Sequence, residues 1–153
     1  MTTTPPGTCE LRDLSHQPPR SPAERLGGYA ILARCLDKGR AELAGCSGDY
    51  HFGCPLDQML CDFKGVSAGE IKTLLQNRAT DTEVVKWLNA HGITRTPEEV
   101  ATWSAAMDDI RPVEDPERRE WFTGECRRLD LEPDSTTLFA YLDEDDRRAA
   151  SHH

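Results

Sequence analysis

The sequence predicts an all-α protein: a single compact domain of about seven short capped helices, preceded by an extended N-terminal arm. Three observations carry that expectation. A Ser or Thr followed three residues later by Glu recurs four times, a pattern in which side chains satisfy the free N–H groups of a first helical turn reciprocally. Apolar residues then recur at three- and four-residue spacing. No convincing run of period two appears, so strands are not expected.

Residues 1–20 hold four of the ten prolines and read as an extended arm. Residues 21–149 make the helical domain, and residues 150–153 a disordered tail. The first start is Ser21-Pro22-Ala23-Glu24, with proline at a first helical position where a missing N–H costs nothing. Leu32, Leu36 and Leu43, with Gly39 between, line one face of a helix from about Tyr29 to Ala44. Cys54-Pro55 marks the next start. A residue before proline is pushed out of the α region, so Cys54 falls at the N-cap and Asp57 at the third position. Leu56, Met59, Leu60 and Phe63 continue that helix.

Ser67-Ala68-Gly69-Glu70 opens a helix with Ile71, Leu74 and Leu75. Thr80-Asp81-Thr82-Glu83 opens one with Val84, Trp87 and Leu88, stopped at Gly92 with His91 as a C-terminal cap. Thr96-Pro97-Glu98-Glu99 opens one with Val100, Trp103, Met107 and Ile110, stopped by Pro112. Asp115-Pro116 precedes Phe122, Cys126 and Leu129. Leu138, Tyr141 and Leu142 form the last stripe, and the charge block after it reads as a fraying helix end. Core packing is the first expectation for Trp87, Trp103 and Trp121.

At 153 residues the chain fits one domain able to bury a core. Its formal net charge is −9 and unevenly placed. Residues 1–60 carry 6 Lys/Arg against 7 Asp/Glu, and residues 61–153 carry 12 against 20. Such an acidic surface opposes phosphate neutralisation, so no nucleic-acid partner is expected. No apolar run reaches the roughly 20 residues that span a bilayer, and the N-terminus lacks a secretory pattern, so no membrane partner is expected and a cytoplasmic location is. The six cysteines are then reduced thiols. The closing Ser-His-His run reads as a tag remnant and is set aside from the site. Pairing with a second copy as a homodimer stays open.

The stretch Tyr50-His51-Phe52-Gly53-Cys54-Pro55-Leu56-Asp57 concentrates chemistry. A thiol at a helix N-terminus meets free N–H groups and the positive end of the dipole, which favour thiolate. Cys54 is the candidate nucleophile or proton donor, His51 the general base, Asp57 the orienting or capping carboxylate and Tyr50 a hydrogen-bond donor. In the preceding helix Lys38 and Arg40 are candidates to hold an anionic ligand, with Asp37 and Tyr29 beside them. Arg34 reads instead as part of a solvated face, weakly paired with Asp37. A lesser reading assembles zinc from Cys46, His51, Cys54 and Cys61 at C-x4-H-x2-C-x6-C spacing, but paired knuckles are missing. No dinucleotide fingerprint, flavin signature or phosphate-cradling loop is present, so no cofactor is expected.

Arg20-Ser21-Pro22, Gly27-Gly28, Asp37-Lys38 with Arg40-Ala41, Gly48 with Tyr50-His51, and Cys54-Pro55-Leu56-Asp57 together resemble a bacterial family known only as domain-of-unknown-function family 5069. The resemblance runs from about Leu11 to Leu88. It brings no activity, and implies that residues 34–40 and 50–57 face one pocket. The expectation is a protein that binds an anionic small molecule there and processes it by acid–base or thiol chemistry of a lyase, cyclase or isomerase type. The alternative is a non-enzymatic acidic interaction protein in which Cys54-Pro55 is a structural cap.

Overall fold

A computed structural model describes residues 11–150. It contains seven α-helices: α1 (Leu32–Ala44), α2 (Pro55–Lys64), α3 (Ala68–Gln76), α4 (Asp81–Ala90), α5 (Pro97–Asp108), α6 (Arg119–Arg128) and α7 (Leu138–Ala150). Two short 3-10 turns, Pro112–Glu114 and Pro133–Ser135, flank α6, and there is no strand among the described residues. No described helix is long and apolar enough to cross a membrane.

Three capped starts form as their spacing requires. Ser67 with Glu70, Thr80 with Glu83 and Thr96 with Glu99 each make both bonds of the reciprocal box. Cys54 is extended, with ψ 171°, and hands the chain to Pro55 at the first helical position. Gly45 and Gly65 stop α1 and α2, and Cys46 and Val66 return N–H bonds to Ala41 and Cys61, which satisfies carbonyls of the last turn. His91 closes α4 through Nδ1 on the Trp87 carbonyl, 2.9 Å away.

The start expected at Ser21 does not form. Ser21 accepts from Ala23 and Glu24 in a single turn, and the chain then passes through Gly27 and Gly28 at φ 60° and 89°. A left-handed pair ends helical propagation before a second turn can close. Ile31, also at positive φ, delays α1 to Leu32. The start at Asp115-Pro116 is displaced too: Asp115 caps a turn, and α6 begins at Arg119.

Helix α1 is the axis of the molecule, with ten consecutive residues, Leu32 to Ala41, buried. Its apolar side meets α2, α3 and the core formed by Leu60, Ile71, Val84, Leu88 and Phe122. The expectation of a solvated polar side is overturned, since Arg34, Asp37 and Lys38 are 4 %, 2 % and 3 % exposed. Distant segments cover them. Arg20 forks onto Asp37 through Nε and Nη2 at 3.0 Å each, and its Nη1 reaches Asp81 at 3.0 Å. Arg40 bonds Asp81 at 2.8 Å and the Ala79 carbonyl. A buried charge is tolerable only with such paired and bonded partners.

Residues 1–10 of the expected arm, and 151–153 of the expected tail, lie outside the described residues. From Leu11 onward the arm packs on the domain, with Leu14 buried and its N–H bonded to the Cys46 carbonyl. The charge block after Leu142 is the body of α7, not a frayed end, because Asp146 is buried against Arg34.

Candidate functional site

Four segments enclose a cavity of about 960 Å³: the arm, the 48–56 turn with the start of α2, the middle of α1, and the facing sides of α6 and α7. Leu14, Leu56, Met59, Trp121, Leu138 and Leu142 supply apolar wall. Its polar groups gather where α1 meets the turn. Lys38 Nζ lies 3.1 Å from Cys54 Sγ and 3.0 Å from Asp57 Oδ2. Asp57 is fully buried, and the same Oδ2 accepts the Gly53 N–H at 2.9 Å. The third position of α2 thus reaches back to fix both the turn and the lysine.

The arrangement is a relay from carboxylate to ammonium to sulfur, an ion pair followed by a hydrogen bond. Of the three N–H donors of the Lys38 ammonium, one is donated to Cys54 Sγ, while Asp57 Oδ2 contributes an ion pair at 3.0 Å. The half-buried sulfur and the lysine both line the cavity. Chemically, the arrangement places a sulfur atom beside a buried cation.

A second polar cluster stands across the inner wall. Arg34 pairs with Asp146 at 2.6 Å with both groups nearly buried, and the Tyr50 hydroxyl donates to Asp146 Oδ1 at 2.9 Å. The Arg34 guanidinium lies 5.5 Å from the centre of the Tyr50 ring. Burial, followed by the Asp146 charge, raises the Tyr50 phenol well above its ordinary range, so it keeps its proton and acts as a donor.

The structure brings together Lys38, Tyr50, His51 and Cys54 on the cavity wall, with Asp57 directly behind Lys38. It gives His51 a different place from the one expected. His51 is exposed, lines the cavity and makes no hydrogen bond to Cys54 or Asp57; Lys38 occupies the position beside the sulfur. Arg40 and Asp37 are spent on the Arg20–Asp81 network, outside the cavity wall. Tyr29 is buried at the far end of the loop before α1, where its hydroxyl donates to Asn89 Oδ1 at 2.8 Å.

The zinc reading fails on geometry. No group of three or more His, Cys, Asp or Glu side chains among the described residues is placed to hold a metal ion. Cys46 turns its sulfur toward the Arg12 carbonyl, 3.8 Å away. Cys61 is sealed in the core, and burial, then the Asp57 charge, pushes its thiol up to about 11. Cys35, fully buried on α1, is raised by the same causes.

Sequence reasoning missed Arg34, Asp146 and Trp121. Trp121 is 52 % exposed on the cavity rim, not in the core, with its ring edge-on to Tyr141 at 5.7 Å. Asp146 carried a signal: it lies four residues after Leu142, on the apolar stripe of α7. Arg34 lies four residues before Lys38, and so on the same face of α1.

No functionally curated protein matches the chain. A family model matches residues 16–148, which takes in every element lining the cavity except the outermost residues of the arm and of α7, and the chain belongs to that family, the domain of unknown function DUF5069.

Proposed function

We propose that the protein binds a small molecule in this cavity and acts on it through the Cys54 thiol. The observation that carries the reading is the placement of Lys38 Nζ between Cys54 Sγ and Asp57 Oδ2, at 3.1 and 3.0 Å, on the wall of a cavity of about 960 Å³. A purely structural cap has no use for a buried lysine aimed at its sulfur. Taking an ammonium and a carboxylate out of water costs several kcal/mol before their attraction offsets it.

Lys38 stands where the sequence suggested His51 as base, so the thiol branch is better supported than imidazole chemistry. Charge narrows the ligand. The wall carries three cations, Arg34, Lys38 and Arg118, against four carboxylates, Asp49, Glu117, Asp145 and Asp146. A polyanion is disfavoured by that balance. The site suits a molecule with an apolar body against Trp121, Leu142 and Met59 and a single anionic or carbonyl oxygen at Lys38.

Fragment screening by thermal shift, followed by iodoacetamide labelling read by peptide mass spectrometry, tests this. Cavity ligands should slow alkylation of Cys54 and leave Cys46 unchanged. Fragments that stabilise the protein with no change in Cys54 labelling, or a native Cys54 that resists the reagent altogether, would overturn the reading.

A further inference from the structure

We propose that the substrate is an acyl compound, an ester, thioester or amide with an apolar acyl group, whose carbonyl carbon is attacked by Cys54 while Lys38 holds the carbonyl oxygen. The proposal rests on Cys54 being the reacting group and goes on to name what it reacts with. Two placements lead there. The sulfur faces the cavity from the N-cap of α2, with no bond from its own side chain to the backbone. Lys38, 3 % exposed, donates one N–H to Cys54 Sγ and is ion-paired with Asp57 Oδ2 at 3.0 Å, which leaves donor capacity on the same ammonium for a group entering the cavity. A donor held this rigidly within bonding distance of the nucleophile suits an oxygen that gains charge as the sulfur bonds to its carbon.

The step balances without an oxidant or a reductant. Cys54 Sγ forms the S–C bond, and the carbonyl electron pair moves onto oxygen, which accepts the free Lys38 N–H. Collapse restores the carbonyl and breaks the bond to the leaving oxygen, sulfur or nitrogen. Lys38 gives that atom a proton and takes the thiol proton in exchange. Asp57, ion-paired with Lys38, keeps the ammonium in place. Water then attacks the acyl-thioester, releasing a carboxylic acid and returning the thiol. Leu56, Met59 and Trp121 receive the acyl group. Arg34 is neutralised by Asp146 and takes no part in the step.

The test compares two reagents on the same thiol. p-Nitrophenyl acetate generates an oxyanion when sulfur attacks it, and iodoacetamide does not. Both reactions are followed at Cys54 and, as an internal standard, at Cys46, which is likewise half-buried but has no lysine at its sulfur. The ratio of acylation to alkylation rates should be about 100-fold higher at Cys54 than at Cys46, the usual worth of one oxyanion donor. In the Lys38→Met/Asp57→Asn protein, which removes both buried charges together, that advantage should disappear. Acylation should fall about 100-fold, and alkylation by less than tenfold.

Equal ratios at the two cysteines in the wild-type protein would overturn the acyl proposal while leaving thiol chemistry at Cys54 standing. That comparison needs no variant, so it decides even if the double variant fails to fold. Resistance of native Cys54 to both reagents would overturn the proposal together with the reading beneath it.

Discussion

Replacing Asp57 by Asn isolates the charge of one carboxylate from its shape. The amide oxygen can still accept the Gly53 N–H, but Lys38, 3 % exposed, loses the only carboxylate paired with it among the described residues. Removing one partner of a buried ion pair typically costs about 3–5 kcal/mol, since the other charge is left uncompensated. For a chain of this size each kcal/mol moves the midpoint by roughly 2–4 °C, so Tm should fall by roughly 6–20 °C. Lys38→Met should do similar damage by stranding Asp57. The double variant Lys38→Met/Asp57→Asn carries neither charge, and should cost about 1–3 kcal/mol less than the sum of the singles. Calorimetry at neutral pH, supported by urea midpoints, measures all three. Single shifts below about 2 °C, or a double that merely adds the two, would mean that the pair is solvated or uncoupled. The relay described for the site would then be wrong.

Three further outcomes follow from other parts of the fold. At Asp81 burial raises the carboxyl, but bonds from Arg20 and Arg40 outweigh it and the net shift is downward. A depressed folded value contributes stability that is present above the ordinary carboxyl range and lost as pH falls through the folded value. Asp81→Asn should therefore be destabilising at pH 6, with the gap from wild type closing as urea midpoints are followed down to pH 2. At Gly92, φ is 68° and an added Cβ would lie 2.0 Å from the Lys64 carbonyl oxygen, so Gly92→Ala should cost at least about 2 kcal/mol in the same denaturation assay. Gly124→Ala, on α6 with open space around it, should instead stabilise by about 0.5–1 kcal/mol.

What the sequence revealed of this fold was whatever is decided within four residues. The reciprocal caps at Ser67, Thr80 and Thr96 depend on their own turn, and Cys54-Pro55 sets its own dihedrals, so all four starts could be read directly. Ser21 shows the limit: its local signal is the same, but the glycines six and seven residues on, and the strain at Ile31, decide the outcome. The polar side of α1 could not be read at all. Arg34 finds Asp146 across 112 residues, and Asp81 meets Arg40 across 41. No periodicity records such pairings, so charges that look like a wet surface turn out to be interior. The same distance effect separates His51 from Lys38. Three residues made the imidazole look like the partner of Cys54, and a side chain sixteen residues away holds that place.

The bond from Asp146 to both Arg34 and Tyr50 also has a temporal side. Helix α7 is the last described element to leave the ribosome, and until it docks, one wall of the hollow is missing and Arg34 and Tyr50 lack the carboxylate they share. The wall of the cavity is thus completed only by the described helix made last. A molecule that fits the finished chamber stabilises the docked helix by mass action, while one present earlier in synthesis has nothing to hold it.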